Sequence, residues 1–375
     1  MSLTFHWFLP TSGDGRDVEG GGHGARPRAV RNRRDPSIAY LAQIVRAAEQ
    51  LGFEGALTPT GSLCEDAWIT TAVLSAQSEH LKFLVAFRPG YYSPTLAAQM
   101  AATFQRQTDG RLFVNVVTGG ESAEQRAYGD FSDKDSRYER TDEFLAIVRS
   151  LWEGETVDFT GKHLTVQQAR LSTPPDPLPS VYVGGSSAAA LPVAARRADV
   201  YLTWGEPPQE VTEKLDRVRK EASSAGRRLR FGIRLHVITR DTSGAAWAEA
   251  ERLLSDVHPA DIAQAQAGLA RSESEGQRRM RRLHGGSTAN LVIYPNLWAG
   301  IGLLRGGAGT ALVGSHEEVR DRILEYHDLG IDEFILSGYP NLEEAYWFGE
   351  GVLPLLARGG HWTHPWPGAS TYRRS

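Results

Sequence analysis

A cation and an imidazole lie two residues apart in a strongly apolar stretch of the chain, residues 231–239. The sequence there is FGIRLHVIT, so Arg234 and His236 interrupt a nearly continuous apolar run. Such a run predicts a buried β-strand, and the two-residue period of a strand places both polar side chains on one face. Buried charged groups are costly unless they are paired or face a polar pocket. The pattern therefore indicates either a structural ion pair or one wall of an active site.

Eight apolar stretches predict the strands that must position these two residues. They lie at residues 3–10, 55–60, 81–87, 111–118, 181–183, 200–203, 229–239 and 334–337. Segments with helical periodicity separate them, and this alternation predicts an α/β fold, a (β/α)8 TIM barrel with insertions after strands 1, 4 and 7. We expect residues 1–358 to form one domain and residues 359–375 to form a C-terminal tail.

The active site of such a barrel lies where the carboxyl ends of the strands meet the loops that follow them. Residues 184–187, GGSS, lie at one such end and supply backbone donors and the hydroxyls of Ser186 and Ser187. This arrangement can bind a phosphate, or it can simply cap the next helix. Tyr138 either donates to the same phosphate or packs as a helix aromatic.

Other candidates also end predicted strands or follow them closely. They are Cys64, Asn115, Thr118, Trp204 and Tyr339. Asn115 and Thr118 suit the edge of a flat heterocycle, and Trp204 suits its wall. Cys64 stands beside two carboxylates, which do not favour a thiolate, so we interpret it as lining a pocket rather than as a nucleophile.

Two glycine-rich segments predict loops at the active-site face. Arg305 lies in residues 298–309, within an insertion at 259–312, and the glycine density there predicts mobility. An arginine on such a loop suits a lid that closes on an anion and excludes water; a solvated loop is the alternative. Residues 13–36 form a second long loop, rich in glycine and arginine, of the kind that is functional or mobile.

The composition excludes several classes of protein. The chain has 375 residues, with 41% hydrophobic and 23% charged residues and a net charge of −4, which offers no general attraction to nucleic acid or to an anionic membrane. No stretch has the length of a membrane span, and the start of the chain lacks a signal-peptide pattern. The single cysteine fits a cytoplasmic location, and no residue cluster predicts a metal site.

Taken together, eight segments of the chain resemble the alkanesulfonate monooxygenases, which belong to the bacterial luciferase-like superfamily of flavin-dependent enzymes. The segments are residues 5–10, 59–68, 115–118, 184–187, 201–207, 230–238, 296–314 and 336–340. The resemblance covers nearly the whole chain. Only residues 20–35 and the residues after 356 fall outside it.

The resemblance implies a two-component system, in which an NAD(P)H-dependent flavin reductase supplies reduced FMN. Oxygen activated on that flavin then cleaves the C–S bond of an organosulfonate to give an aldehyde and sulfite. The family also implies a homodimer or homotetramer. By position, the substrate and reacting flavin would be surrounded by Trp204, Arg234, His236, Arg305 and Tyr339, the flavin would be lined by Cys64, Asn115 and Thr118, and its phosphate would be held by Tyr138, Ser186 and Ser187.

Two departures from the family bear on the substrate. The insertion at residues 20–35 follows the first strand at the active-site face, and Asn341 stands where the alkanesulfonate enzymes often have histidine. The sulfosugar sulfoquinovose is therefore an alternative substrate. A deazaflavin-dependent oxidoreductase and a non-catalytic flavin- or anion-binding relative are alternative functions. The set of Arg234, His236 and Arg305 argues against both.

Overall fold

The computed structural model describes residues 2–18 and 33–366, and eight of its strands close a parallel barrel. The strands in chain order are β1 (Thr4–Phe8), β2 (Gly55–Thr58), β3 (Lys82–Phe87), β4 (Leu112–Val116), β5 (Val157–Thr160), β6 (Thr165–Ala169), β7 (Ser180–Gly184), β8 (Val200–Trp204), β9 (Arg230–Arg240), β10 (Val292–Tyr294), β11 (Leu297–Trp298), β12 (Ala311–Ser315) and β13 (Glu333–Ser337). The barrel order is β1-β2-β3-β4-β7-β8-β9-β13, and β13 pairs with β1. The predicted (β/α)8 fold and its eight strands are confirmed.

The helices lie between the barrel strands. In chain order they are α1 (Ile38–Leu51), α2 (Ala67–Leu74), α3 (Pro94–Gln107), α4 (Ser122–Ala127), α5 (Lys134–Trp152), α6 (Ala190–Arg197), α7 (Pro208–Ser224), α8 (Ser243–Ser255), α9 (Pro259–Leu269), α10 (Glu275–His284), α11 (His316–Asp328), α12 (Asn341–Gly351) and α13 (Leu353–Arg358). We expected α5 to begin at Tyr138. It begins one turn earlier because Asp133 caps it by accepting from the Ser136 amide. None of the helices in the described ranges has the length and apolar character needed to cross a membrane.

The floor of the barrel, at the amino ends of its strands, is a buried polar cluster around Glu333. His6 Nε2 lies 3.2 Å from its carboxylate, the Tyr182 hydroxyl donates to it at 2.8 Å, and Arg230 pairs with its other oxygen at 2.5 Å. Burial opposes ionisation of Glu333, yet the hydrogen bond from His6 and the charges of His6 and Arg230 hold its pKa below the ordinary value. The cluster joins four strands of the barrel.

Replacing Glu333 with glutamine is expected to lower the free energy of unfolding by about 3 kcal/mol, because it removes a buried carboxylate that accepts from Tyr182, contacts His6 and carries the counter-charge of Arg230. A urea titration at neutral pH measures the loss. Glu139→Gln is the matched control, since Glu139 pairs with Lys162 on the surface at 2.6 Å and its loss should change stability far less. The contribution of Glu333 is present above the ordinary glutamate pKa of 4.5 and is lost as the pH falls through the lowered value. Equal losses in the two variants would contradict the prediction.

The insertion after β9 adds a three-stranded extension to the barrel that the sequence interpretation missed. β9 spans Arg230–Arg240, and its first half pairs with β8 and β13 inside the barrel. Its second half pairs in parallel with β12, and β11 and β10 follow in antiparallel pairing. One continuous strand therefore carries Arg234 and His236 in the barrel and also supports the insertion.

The loop after β1 was expected to span residues 13–36, and its residues 19–32 lie outside the described ranges. The described flanks are joined by a backbone bridge between Asp14 and Arg34. The Asp14 carboxylate accepts hydrogen bonds from the backbone amide of Asn341 at 2.8 Å and from its side-chain Nδ2 at 3.2 Å. It also accepts from the Tyr40 hydroxyl. The base of the loop is thereby tied to the start of α12. The side chain of Asn341 binds this loop base, so an effect of Asn341 on the substrate pocket would act through the loop.

Candidate functional site

Two arginines stack on one aromatic ring at the carboxyl ends of the barrel strands. The guanidinium carbon of Arg234, on β9, lies 4.8 Å from the centroid of the Phe8 ring at the end of β1. That of Arg305, in the insertion, lies 5.2 Å from the same centroid. Cation–π contact with Phe8 therefore brings together two positive charges that would otherwise repel each other.

Neither arginine has a carboxylate partner among the residues that the structure describes. Arg234 donates to the Ile335 carbonyl at 3.4 Å and to the Ser337 hydroxyl at 2.7 Å, and Arg305 donates to the Tyr339 hydroxyl at 3.1 Å. Burial, together with the neighbouring charge of Arg305, lowers the pKa of Arg234 to about 9. The two guanidinium groups form a positively charged site that an anion would stabilise.

His236 lies beside this positively charged site and is buried. Its ring stacks on Tyr339 with centroids 5.5 Å apart and an interplanar angle of 12°. Its Nδ1 lies 2.8 Å from the Ser337 hydroxyl, and its Nε2 lies 3.2 Å from the Ala308 carbonyl. Burial and the charges of Arg234 and Arg305 lower its pKa well below the ordinary value. The imidazole is therefore neutral at physiological pH.

The segment that carries Arg305 is packed against its surroundings by hydrogen bonds from distant side chains. Gln266 Nε2 donates to the carbonyls of Gly302 and Leu303, each at 2.9 Å, and the amide of Gly307 donates to Gln277 at 2.9 Å. Residues 300–304 and 306–310 are buried. In this conformation the arginine is held over the barrel mouth. A lid motion of residues 259–312 stays a prediction.

Cys64 and Trp204 flank the arginines at the barrel mouth. Cys64 is half-buried, and its charged surroundings are Arg305, Glu124 and Arg88. Burial raises the pKa of its thiol, so it stays protonated near neutral pH. Trp204 ends β8, in register with Arg234 on β9. That the two residues line a pocket, and the role of each, stay predictions.

Hydroxyl groups from three elements converge beside the loop between β7 and α6. The Tyr138 hydroxyl, on α5, lies beside the hydroxyls of Thr118 and Ser187, and both act on its pKa. The Tyr201 hydroxyl donates to the Gly185 carbonyl at 2.6 Å and lies beside Ser186. Burial raises the pKa of both tyrosines, so that they remain donors. We call Thr118, Tyr138, Ser186 and Ser187 the hydroxyl cradle.

Gly185 shows why this loop requires glycine. Its φ is +131°, and a Cβ added there would lie 2.7 Å from the Ala190 Cβ and 2.9 Å from the Tyr138 hydroxyl. The backbone therefore approaches the tyrosine closely, just before α6. Ser187 also accepts from the Ala190 amide at 3.3 Å. Ser187 therefore closes the turn that leads into α6, and the binding of a phosphate by this loop stays a prediction.

Asn115 lies on β4, beside β7, whose carboxyl end leads into the loop that carries Ser186 and Ser187. It follows Phe113 by two residues on β4, and Phe113 packs on the apolar cluster inside the barrel. The strand period therefore directs Asn115 to the same face, nearer the barrel mouth. It is half-buried. This placement suits the edge of a ring bound in the mouth, and that role stays a prediction.

The sequence interpretation missed two contributors to the site and, for a third, Arg88 at the end of a predicted strand, it missed the partner. Phe8 carries both arginines, and Ser337 lies between Arg234 and His236. Arg88, at the end of β3, pairs with Glu124 of α4 at 2.6 Å and ties two loops of the mouth together. The alternation of His6 and Phe8 on β1 and of Ile335 and Ser337 on β13 could have indicated the first two. No local pattern predicts the Arg88 pair.

Residues 3–333 match the sequence family described as Luciferase-like monooxygenase. The chain belongs to that family. The match runs from the start of β1 to the start of β13, so it includes the arginines, the hydroxyl cradle and His236. The alkanesulfonate branch predicted from the resemblance is a narrower statement than this membership.

Solved structures of similar fold agree with membership of the luciferase-like monooxygenase family. A riboflavin lyase, RcaE, solved with a modified FMN and riboflavin, has a TM-score of 0.78 and 20% identity over 97% of this chain and 93% of that one. DmoA from Hyphomicrobium sulfonivorans has a TM-score of 0.78 and 19% identity over 97% and 90%. The long-chain alkane monooxygenase LadA has a TM-score of 0.76 and 19% identity over 97% and 93%. At these identities the likeness establishes the fold.

Proposed function

We propose that this chain is the oxygenating component of a two-component, FMN-dependent monooxygenase that desulfonates an organosulfonate. The reaction converts the sulfonate carbon to an aldehyde and releases sulfite. One atom of O2 enters the aldehyde, the other leaves as water, and reduced FMN supplies the two electrons. A separate NAD(P)H-dependent flavin reductase provides the reduced flavin, and a dimer or tetramer is part of the same proposal.

The observation that supports this proposal is the positively charged site formed by Arg234 and Arg305. A sulfonate is anionic at all physiological pH values and offers three acceptor oxygens, which suit the planar donors of two guanidinium groups. A neutral alkane or thioether would leave the buried charge of Arg234 and the half-buried charge of Arg305 without a counter-ion, which is costly. Among the substrates that a flavin monooxygenase can oxygenate, the pair of Arg234 and Arg305 favours an anion.

FMN fits the remaining residues. The hydroxyl cradle contains four hydroxyls and lies where α6 begins, and each hydroxyl can donate to a phosphate oxygen. These hydroxyls would interact favourably with a phosphate dianion. A site that served only to cap a helix would not provide that interaction. Asn115, on the strand beside the one that leads to the cradle, would contact the flavin ring. Cys64 and Trp204 would form the pocket walls.

The bound flavin would supply oxygen activation, and the residues of the chain would position and protect that chemistry. Arg234 and Arg305 bind and orient the sulfonate, and they stabilise negative charge that develops during oxygenation. Tyr339 holds Arg305 through its hydroxyl and stacks on His236. The buried segment around Arg305 excludes water from the mouth, which limits the loss of activated oxygen to solvent.

Sulfite release tests the proposal directly. Purified protein is supplied with reduced FMN by a generic flavin reductase, in air, with methanesulfonate, octanesulfonate, an aromatic-tailed sulfonate and sulfoquinovose in separate reactions. Sulfite from any of these establishes the reaction, and sulfite from sulfoquinovose alone assigns the sulfosugar branch. Flavin binding and oxygen consumption without sulfite from any sulfonate would overturn the substrate class. No binding of reduced FMN would overturn the cofactor.

Removing a hydroxyl of the cradle should weaken binding of reduced FMN. We expect Ser186→Ala to raise the dissociation constant by roughly tenfold, because a hydrogen bond to a charged phosphate contributes about 1.5–3 kcal/mol. Anaerobic fluorescence titration measures this. Ser224→Ala is the control, since its hydroxyl only bonds the Lys220 carbonyl on α7. Ser186 is preferred to Ser187 because Ser187 also closes the turn that leads into α6. An unchanged dissociation constant would contradict the cradle assignment.

A further inference from the structure

The hydrogen bonds around His236 have a direction that can be worked out from their donors and acceptors. The Ala308 carbonyl can only accept, so His236 Nε2, at 3.2 Å, must carry a proton. Arg234 Nη2 can only donate, so the Ser337 oxygen, at 2.7 Å, accepts from it. The remaining contact joins Ser337 Oγ to His236 Nδ1 at 2.8 Å. Its direction decides the charge of the imidazole.

A protonated imidazole would make a poor arrangement. Nδ1–H would then donate to Ser337, whose oxygen would accept from two cations while its own proton would need another acceptor. Arg234 and Arg305 are also the charged groups that act on the ring, and both oppose a third positive charge. The element packed on the other face of the ring contributes only Tyr339, whose ring stacks there. The neutral form is therefore favoured, with Nδ1 accepting from the Ser337 hydroxyl.

We propose that His236 is a strut rather than a general base, and that Ser337 is the positioning residue that holds it in the Nε2–H form. The bonds then run in one direction, from Arg234 to Ser337, from Ser337 to His236, and from His236 to the Ala308 carbonyl. Both ring nitrogens are engaged, so neither is free to take a proton from substrate. This inference rests on the proposed function only for its activity measurement.

The consequence of the chain of bonds is a coupling between the two arginines. Ala308 lies three residues after Arg305 in the segment that covers the barrel mouth. Thr310, two residues after Ala308, is also fixed: its hydroxyl donates to the Gly205 carbonyl at 2.7 Å, and its carbonyl accepts from the His236 amide at 2.9 Å. Together with these bonds, the imidazole holds the strand that carries Arg234 to the segment that carries Arg305.

The first test observes the imidazole without any turnover. The full chain is labelled with ¹⁵N-histidine, and the His236 signals are assigned as those that disappear in His236→Gln. We expect the pattern of a neutral ring protonated at Nε2. Ser337→Ala should change that pattern, and Ser337→Thr, which keeps a hydroxyl, should restore it. Ser180→Ala is the matched control, since its hydroxyl also accepts from an arginine of β9, Arg230, at 3.4 Å, but at the opposite end of the barrel.

The second test separates a strut from a base by two substitutions of His236. The side-chain amide of glutamine can place an N–H where Nε2–H lies and so can still bind the Ala308 carbonyl, whereas asparagine is too short. A strut predicts that His236→Gln keeps sulfite release within roughly tenfold and that His236→Asn loses about a hundredfold, the scale of a misplaced catalytic group. A base predicts that both lose about 10²–10⁴-fold.

Three results would overturn the proposal. They are a wild-type His236 protonated at Nδ1 or at both nitrogens, a His236 signal that Ser337→Ala does not move, and equal loss of activity in His236→Gln and His236→Asn. If Ser337→Ala fails to fold, the wild-type spectrum and the two His236 substitutions still decide. Absence of sulfite from every sulfonate would reject the proposed function while leaving the NMR result to stand on its own.

Discussion

Arg305→Ala should reduce sulfite release by roughly 10³-fold or more while leaving the dissociation constant of reduced FMN nearly unchanged. The guanidinium stacks on Phe8 and is held by Tyr339, whereas the hydroxyl cradle that would bind the flavin phosphate lies on other elements. Loss of one preorganised donor from a water-excluded site typically costs about 10²–10³ in turnover. Loss of a charge that also closes the mouth should cost more.

Two companion measurements make the Arg305 prediction specific. Arg305→Lys keeps the charge but not the planar donors, so it should recover part of the activity. Arg320→Ala removes a half-buried arginine whose partner on α11 is Asp321, and it should leave turnover unchanged. If Arg305→Ala instead abolished flavin binding and spared the turnover of any flavin that did bind, the arginine would belong to the cofactor site.

Arg234→Ala should lower turnover by about 10²–10³-fold, which corresponds to about 2.7–4 kcal/mol of transition-state stabilisation. Arg234 is buried and has no carboxylate partner among the residues that the structure describes. Its charge is unfavourable there because burial and the charge of Arg305 both oppose it, and its pKa is lowered accordingly. An anion relieves that unfavourable charge, so the interaction should be strongest when negative charge is localised beside it. Steady-state rates over a range of sulfonate concentrations measure kcat and KM separately.

Stability must be separated from catalysis in this variant, because Arg234 also bonds to Ile335 and Ser337 of the neighbouring strand. Arg230→Ala is the matched control. It removes an arginine from the same strand, four residues earlier, where the partner is Glu333 at the barrel floor. We expect Arg230→Ala to lower the unfolding free energy with little effect on kcat. Near wild-type turnover by Arg234→Ala would refute the role of Arg234.

The sequence was a good guide to the barrel and a poor guide to the insertion, and physical reasons explain both. A strand such as β9 has apolar residues on both faces, and that pattern is visible in nine consecutive residues. The extension has strands as short as Leu297–Trp298, which carry no period. Residues 300–309 were predicted to be mobile from their glycines, yet side chains far away in sequence, such as Gln266 and Gln277, bind their backbone.

The candidate site was predictable where one residue type announces its chemistry. Arg234 and His236 are conspicuous in an apolar strand, and the GGSS loop is conspicuous before a helix. Phe8 and Ser337 are not, because phenylalanine and serine are ordinary residues in barrel strands. Their importance comes from closure of the barrel, which brings β1 and β13 together beside β9. Closure of that kind is set by the whole fold and not by a local pattern.

The length of β9 also bears on how enzymes of this architecture can diversify. The second half of the strand leaves the barrel and pairs with β12. The segment from β9 to β12 is therefore attached to the barrel along this one strand. Exchange of that segment between relatives would place a new cover, with its own arginine, over the mouth of an unchanged barrel. The graft would need to keep Arg279, which reaches Glu206 at the barrel end through two hydrogen bonds of 2.6 and 2.8 Å. Chimeras joined at these two strands are thus a route to altered substrate range.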